Sequence, residues 1–191
     1  ITYLKKKNNA IILSQFYQDR AIQDISDFVG DSLDLSKKAE KNDAEVIVFC
    51  GVRFMAEVAK ILSPNKKVIL PDIKAGCSLE ESCQVNEFRN FKRKYPNHIV
   101  LTYINCSADI KAESDIIVTS SNAEKIINSL PVNQKIIFAP DRHLRAYLNK
   151  ITGREMMLWN GTCIVHETFS ERERIKMTVL YQGAKIIDNK E

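Results

Sequence analysis

Two residue types that do chemistry recur at one interval in this chain. Tyr17 and Tyr103 lie 86 residues apart, and the same interval separates Cys77 from Cys163. Tyrosine hydroxyls move protons and cysteine thiolates bind metals, so a doubled fold with one thiol in each copy predicts a shared metal or iron–sulfur site. Two other interpretations stay open: the equal intervals arise by coincidence, and each cysteine is a buried core residue.

A second comparison within the chain also favours an internal repeat. Residues 50–72 align with residues 119–141 without a gap, and both stretches read as a turn, a helix, a strand and then Pro-Asp. The interval here is 69 residues rather than 86, so the alignment predicts different insertions in the two copies.

The pattern of apolar residues predicts the elements that position these groups. Short runs rich in isoleucine and valine are typical of strands buried on both faces of a parallel sheet, and helical periodicity lies between them. The predicted strands are residues 10–17, 46–50, 67–70, 99–104, 115–119, 135–139, 155–159 and 184–187. The predicted helices are residues 23–41, 52–62, 122–130 and 144–150, with Gly153 as the last C-cap and a linking helix within 83–95. The fold class is therefore α/β, built from repeated three-layer parallel-sheet domains with pseudo-symmetry.

Composition limits the classes of function. With 45 % hydrophobic and 27 % charged residues and a net charge of +4, the chain has the composition of a soluble globular protein. Its basic residues form no stripe with aromatic residues, which argues against a nucleic-acid partner. It has no apolar run of membrane-spanning length and no signal-peptide pattern, which predicts a cytoplasmic protein without a membrane partner. Five cysteines with irregular spacing argue against a disulfide framework.

Conspicuous polar residues follow the predicted strands. Gln15 and Tyr17 close the first strand, Tyr103 and Asn105 close a strand of the second copy, and Ser120 lies between a strand and a helix. Ligands of open parallel sheets bind at the carboxyl ends of the strands, and free backbone N–H groups at a helix start favour anions. The pattern predicts a site for a small anionic ligand.

Six motifs together resemble the quinolinate synthase family, iron–sulfur enzymes of NAD biosynthesis. The motifs are YQDRAIQDISDFVGDSL at 17–33, FCGVRFMAEVAKIL at 49–62, LPDIKAGCSLEESC at 70–83, TYINCSADIKAESDIIVTSSNA at 102–123, FAPDRHLRAYL at 138–148 and WNGTCIVHETF at 159–169. The resemblance implies three similar α/β domains, of which this chain holds domain one at 1–83, domain two at 84–170 and the start of a truncated third at 171–191.

The resemblance also implies a [4Fe–4S] cluster with one cysteine from each domain. Cys77 and Cys163 match the first two cluster ligands, whereas Cys83 does not match a ligand position. The third cluster cysteine is absent from the chain. With three protein ligands one iron keeps an open position, where it can act as a Lewis acid on a substrate.

The substrates and their contacts are likewise implied by the resemblance. The family condenses iminoaspartate with dihydroxyacetone phosphate to quinolinate, with loss of phosphate and two waters, and L-aspartate oxidase is the expected source of iminoaspartate. The matching positions for substrate binding are Ser32, Tyr103, Asn105 and Ser120, and Tyr17 matches a tyrosine linked to acid–base steps.

The chain departs from the family pattern at two binding positions. Gln15 and Asn189 stand where the family has histidines, and neither amide can titrate or carry charge, whereas the family's glutamate is kept as Glu191, a catalytic candidate. Because the chain ends at Glu191, we expect these 191 residues alone to lack synthase activity. The alternative is a non-catalytic two-domain remnant, or half of a split protein, that binds a small dicarboxylate or a completing subunit.

Overall fold

The chain divides into two compact units, each built around a four-stranded parallel sheet. The structure is a computed structural model that describes residues 1–168 and 171–183, with the backbone alone at residues 32, 33, 166 and 171–174. The units are Ile1–Cys77 and Ser78–Glu191. The domain limits stated above, including the third domain, stay predictions.

The first unit has the strand order β2-β1-β3-β4 with every neighbouring pair parallel. The burial of β1, in which five of six residues are buried, explains its continuous apolar sequence. Its elements are α1 (Thr2–Lys7), β1 (Ala10–Gln15), α2 (Arg20–Ile25), β2 (Phe28–Gly30), α3 (Ser32–Lys41), β3 (Val46–Cys50), α4 (Arg53–Leu62) and β4 (Lys67–Ile69).

The second unit repeats this topology as β6-β5-β7-β8, again fully parallel. Its elements are α5 (Ser78–Glu81), α6 (Val85–Arg93), β5 (His98–Tyr103), α7 (Ala108–Ala112), β6 (Ile116–Val118), α8 (Ala123–Ser129), β7 (Lys135–Ala139), α9 (Arg142–Thr152), β8 (Met157–Leu158), α10 (Ile164–Thr168) and α11 (Glu171–Leu180). The α/β fold with repeated parallel-sheet domains is thus confirmed.

Each unit has its own apolar core between the sheet and its helices. In the first, Leu13, Ile47 and Phe49 are fully buried in a cluster that includes residues of α3 and α4. In the second, Phe88 of α6 and Ile137 of β7 are fully buried in another cluster. Burying a side chain of this size contributes roughly 1.5–3 kcal/mol, so these residues are the main source of stability within each unit.

Matching bonds show how the two units correspond. The Asp27 carboxylate accepts a hydrogen bond from the Ile12 N–H at 2.8 Å, and the Asp115 carboxylate accepts one from Val100 at 2.7 Å. In both pairs the backbone N–H of the aspartate also donates to the carbonyl of its partner. Each aspartate therefore locks the start of the second strand of its sheet to the first strand.

A basic side chain that binds carbonyl oxygens at a helix end is a second feature common to the two units. Lys66, just before β4, donates to the carbonyl oxygens of Ala39 and Asn42 at the C-terminal end of α3. Arg154, ahead of β8, donates to the Leu130 carbonyl at 2.7 Å and to the next two carbonyls after α8. Both cations satisfy carbonyl groups that a helix end leaves without an intrahelical partner.

This correspondence corrects the gap-free alignment of residues 50–72 with residues 119–141. The first stretch runs from the end of β3 through α4 to β4, whereas the second runs from the end of β6 through α8 to β7. The alignment is therefore displaced by one strand–helix step, because successive strand–helix steps within a unit resemble one another in sequence pattern.

One helix prediction is also wrong. Residues 23–41 do not form a single helix, because strand β2 (Phe28–Gly30) separates α2 from α3. Register pairing of Phe28 with Leu13 fixes this short strand at the edge of the sheet. The other helices agree within two residues at each end, and Gly153 ends α9 in a left-handed conformation with φ of 66°.

Two further sequence predictions have different outcomes. The helix predicted within 83–95 is present as α6, but it lies inside the second unit, where its Phe88 is buried in the core, rather than between the two copies. The predicted strand at 184–187 lies outside the described residues. Within the ranges that the structure does describe, no helix combines the length and the apolar character that crossing a membrane requires.

Candidate functional site

In the second unit, three predicted binding residues lie at the carboxyl ends of adjacent strands. Tyr103 is the last residue of β5 and pairs in register with Val118, the last residue of β6. Asn105 follows Tyr103 by two positions and Ser120 follows Val118 by two, so both strands deliver a polar side chain to the same edge of the sheet. This arrangement agrees with the general location of ligand sites in parallel sheets.

These side chains differ in burial. Tyr103 is only 7 % exposed, whereas Asn105 and Ser120 are half-buried. The turn that carries Ser120 is fixed by its neighbours, since the Thr119 N–H donates to the Asn122 side-chain oxygen at 2.7 Å. A phenol, an amide and a hydroxyl are neutral donors, and together they suit a ligand rich in oxygen acceptors.

In the first unit, Gln15 lies at the equivalent strand end and is held by the backbone. It is 7 % exposed, and its side-chain oxygen accepts a hydrogen bond from the Val52 N–H at 3.0 Å. A Cβ placed on Gly51 would lie 2.6 Å from that oxygen, so the loop after β3 accepts no larger residue there without a shift of Gln15. The amide therefore has one fixed orientation.

For the remaining candidate residues the structure gives few or no side-chain contacts. Tyr17 is 91 % exposed and makes no hydrogen bond to any part of the chain that the structure describes. Ser32 is the first residue of α3, two positions after the end of β2, and its side chain is not among those that the structure describes. Asn189 and Glu191 lie outside the described residues.

Cys77 and Cys163 occupy corresponding places in the two units. Each follows the fourth strand of its own sheet, β4 in one unit and β8 in the other. Neither forms a disulfide among the described residues; Cys77 is half-buried and Cys163 is 7 % exposed. Both cysteines lie in the loop that follows an edge strand.

The other three cysteines lie in a core or at the end of a strand. Cys83 and Cys106 are buried in the core of the second unit, and burial raises the pKa of the Cys83 thiol far above its usual value. Burial also raises the pKa of Cys50, which ends strand β3. Because metals bind the thiolate, the environments of Cys50 and Cys83 disfavour the form of cysteine that a ligand must supply.

The loop that carries Cys163 is fixed on both sides of the cysteine. Gly161 forms an isolated bridge with Asp141, and its carbonyl accepts a hydrogen bond from the Arg142 N–H at 3.2 Å. On the other side, the Ser78 hydroxyl lies 3.8 Å from the Cys163 sulfur and accepts a hydrogen bond from the Ile164 N–H at 3.1 Å.

An ion-pair cluster anchors the helix that follows Cys163. Glu167 of α10 accepts hydrogen bonds from Arg142 at 2.6 Å and His143 at 2.7 Å, both at the start of α9. The hydrogen bond from His143 lowers the pKa of the Glu167 carboxyl, and the charge of Arg142 acts in the same direction. The helix is therefore tied to the start of α9 at a second point.

The thiols fit part of an iron–sulfur ligand set. Cys77 and Cys163 supply the right donor chemistry from matching places in two repeated sheets. Among the described residues no group of three or more His, Cys, Asp or Glu side chains could hold a metal ion. Among the described residues, these two thiols alone therefore make no complete ligand set.

Two residues that the sequence did not single out contribute to this region, Ser78 and Gly161. Ser78 directly follows Cys77, which is the only signal in the sequence that could have pointed to it. Gly161 could have been found from its place two residues before Cys163, since glycine often marks a close approach of backbones.

The fold and these side chains define a class: a repeated α/β protein with neutral polar groups at its strand ends and one loop thiol after the fourth strand of each sheet. Comparison with known proteins gives the family. The family model described as quinolinate synthetase A protein matches residues 1–191. The chain belongs to the quinolinate synthase family.

Curated relatives carry the same name. Quinolinate synthase of Synechocystis sp. is 60 % identical over 191 residues, which is all of this chain and 60 % of the relative. The proteins of Microcystis aeruginosa and Chloroherpeton thalassium are 59 % and 58 % identical, with 60 % and 59 % of their lengths covered. The chain thus spans about 60 % of the length of these relatives.

Proposed function

We propose that this protein acts in quinolinate synthesis for NAD, condensing iminoaspartate with dihydroxyacetone phosphate and releasing phosphate and two waters. The observation that carries the proposal is the family match over all 191 residues. We infer a cytoplasmic location and, as the source of iminoaspartate, an L-aspartate oxidase.

Neutral hydrogen-bond donors support the binding of a dicarboxylate. Tyr103, Asn105 and Ser120 would donate to its carboxylate oxygens, and Ser32 would add a fourth donor. The half-buried setting of Asn105 and Ser120 strengthens such bonds, because water competes less for the acceptor than at an exposed site. Asn189 would donate through its amide.

Gln15 would hold a carboxylate by a different means from the family's histidine. Its side-chain oxygen is already used by the Val52 N–H, so the amide NH₂ remains for the ligand. No hydrogen bond of that NH₂ joins it to the described residues. Since an amide cannot titrate, substrate binding through Gln15 would not depend on pH near neutrality as binding through histidine does.

The proposed cofactor is a [4Fe–4S] cluster to which Cys77 and Cys163 each supply one thiolate. When bound, such a cluster supplies an iron with an open coordination position that acts as a Lewis acid. Tyr17 and Glu191 would move protons for the ring closure, which needs positioned acids and bases. Tyr17 is exposed, so this role requires that its side chain be enclosed when substrate is bound.

Anaerobic reconstitution tests the proposal. With an exogenous thiol supplied in place of the third protein ligand, wild-type chain is expected to hold iron and sulfide, up to about four of each per chain, with broad visible absorption. Cys77→Ser and Cys163→Ser are each expected to lose most of the iron. Cys50→Ser is the matched control, because Cys50 is a half-buried thiol with an unfavourable setting for the thiolate.

Two results would count against it. Equal iron retention by all three variants would refute the assignment of the cluster ligands. Calorimetric binding of a stable dicarboxylate such as malate, together with no iron and no quinolinate under any condition, would favour the non-catalytic dicarboxylate-binding protein instead.

A further inference from the structure

A single hydroxyl group contacts both the sulfur and the following backbone of Cys163. The Ser78 oxygen lies 3.8 Å from the Cys163 sulfur, a distance suited to an O–H···S hydrogen bond, and 3.1 Å from the Ile164 nitrogen. Both partners belong to the same compact unit as Ser78.

The chemistry of a hydroxyl fixes the direction of each bond. An N–H can only donate, so the Ser78 oxygen accepts from Ile164 and its one proton remains for the sulfur. Ile164 is the first residue of α10, where backbone N–H groups have no intrahelical acceptor. Ser78 therefore satisfies a backbone donor and orients the sulfur with the same atom.

We propose that Ser78 is a positioning residue for Cys163, holding the sulfur in one direction and donating a hydrogen bond to its thiolate in the cluster-bound protein. This inference rests on the proposed function. Hydrogen bonds to cluster sulfurs stabilise the reduced, more negative state, so Ser78 raises the reduction potential of the cluster.

The surrounding bonds allow this role to be tested without loss of the fold. Helix α10 is also held through Glu167, whose carboxylate accepts from Arg142 and His143. The Glu167 N–H donates to the Cys163 carbonyl at 3.0 Å, which closes the first turn of the helix independently of Ser78. Removal of the hydroxyl should therefore loosen the start of α10 and leave the rest in place.

The experiment compares three variants of the full 191-residue chain. Ser78→Ala removes the hydroxyl, and Ser78→Thr restores it. Ser82→Ala is the matched control, because the Ser82 hydroxyl in the same segment donates at 2.7 Å to the Leu79 carbonyl rather than to sulfur. All are compared by amide hydrogen exchange without metal, and by reduction potential and iron release to a chelator after reconstitution.

We expect Ser78→Ala to exchange the Ile164 amide about tenfold faster than wild type, the effect of one lost hydrogen bond. After reconstitution it should show a more negative reduction potential and release iron several-fold faster. Ser78→Thr should restore both properties, and Ser82→Ala should change neither. A role limited to helix stability would change amide exchange without moving the potential.

The outcomes separate this inference from the proposed function. If wild-type chain binds a cluster through Cys77 and Cys163 but Ser78→Ala keeps its potential, the inference is wrong and the function stands. If no chain binds a cluster, these 191 residues do not hold the proposed cofactor by themselves, and the hydrogen bond to its sulfur falls. The exchange rate of Ile164 then still decides whether Ser78 positions the Cys163 segment.

Discussion

Replacing Gly161 with alanine should disturb the Cys163 loop through space alone. A Cβ at this position would lie 2.5 Å from the Pro140 carbonyl oxygen and 2.6 Å from the Ser82 hydroxyl. The serine can rotate away, but the carbonyl belongs to the backbone and cannot. Gly161 does not have a positive φ, so backbone conformation adds no cost of its own.

The magnitude follows from these contacts. Forcing a methyl group into filled space costs roughly 1–3 kcal/mol. If Gly161 moves away to relieve it, the hydrogen bond from the Arg142 N–H is lost, which adds about 1 kcal/mol. We therefore expect Gly161→Ala to lower the free energy of unfolding by about 2–4 kcal/mol. Reconstituted iron should fall with it, because Cys163 is only two residues away.

Urea unfolding and iron content per chain are the measurements. Gly153→Ala is the control: it has a φ of 66° but nothing within 4 Å of its added Cβ, so it isolates the cost of conformation from the cost of space. The left-handed conformation of an alanine at this position costs about 1–2 kcal/mol. We expect Gly153→Ala to retain as much iron as wild type. Combining Gly161→Ala with Ser82→Ala should recover only part of the loss. A Gly161→Ala protein within about 0.5 kcal/mol of wild type would refute the reasoning, since surface substitutions without such contacts stay in that range.

Three further substitutions test the scaffold. Arg154→Met should lower the free energy of unfolding by about 2–4 kcal/mol, because the carbonyl groups beyond α8 lose charged donors, and Arg154→Lys should recover only part of it in the same urea titration. Gln15→Leu should cost about 1–3 kcal/mol by leaving the Val52 N–H without its acceptor, and an unchanged urea midpoint would contradict this. Glu113→Gln should destabilise the protein at pH 7: the hydrogen bond from Arg89 lowers the carboxyl pKa below its ordinary 4.5, so its contribution is present above pH 4.5 and lost as the pH falls through the lowered value. Thermal melts at pH 7 and pH 3 check this, and a difference that persists undiminished at pH 3 would argue against it.

The sequence indicated the fold class because the interior strands are buried on both faces. Strands β1 and β7 are nearly continuous in apolar residues, and their burial leaves little choice of structure. The sequence did not predict strand β2, because its apolar pattern is short and also fits a helix. It has three residues and ends at Gly30, and Phe28, Val29 and Leu33 also fit the apolar stripe of a helix. Its pairing with β1 depends on a tertiary contact that local periodicity does not contain.

The candidate site was predictable in position but not in its supporting bonds. The rule that ligands gather at strand ends pointed to Tyr103, Asn105 and Ser120, and the structure has these residues at the carboxyl ends of two adjacent strands of one sheet. The rule does not tell which of these side chains already form a hydrogen bond with the backbone. The bond from Val52 to Gln15 spans 37 residues of sequence, and the bond from Ile164 to Ser78 spans 86, so neither leaves a local pattern.

The structural repeat shows why residues matched by chemical type are not equivalent between the two units. The strand register makes Gln15 the counterpart of Tyr103. Each is the last residue of the first strand of its sheet and pairs with the last residue of the second strand. The two tyrosines chosen by chemical type, Tyr17 and Tyr103, are therefore not equivalent in the fold. What the units share are bonds that build the sheet, such as those of Asp27 and Asp115 to the first strand. Residues at strand ends are not held by that constraint, which allows Gln15 and Tyr103 to differ between the units.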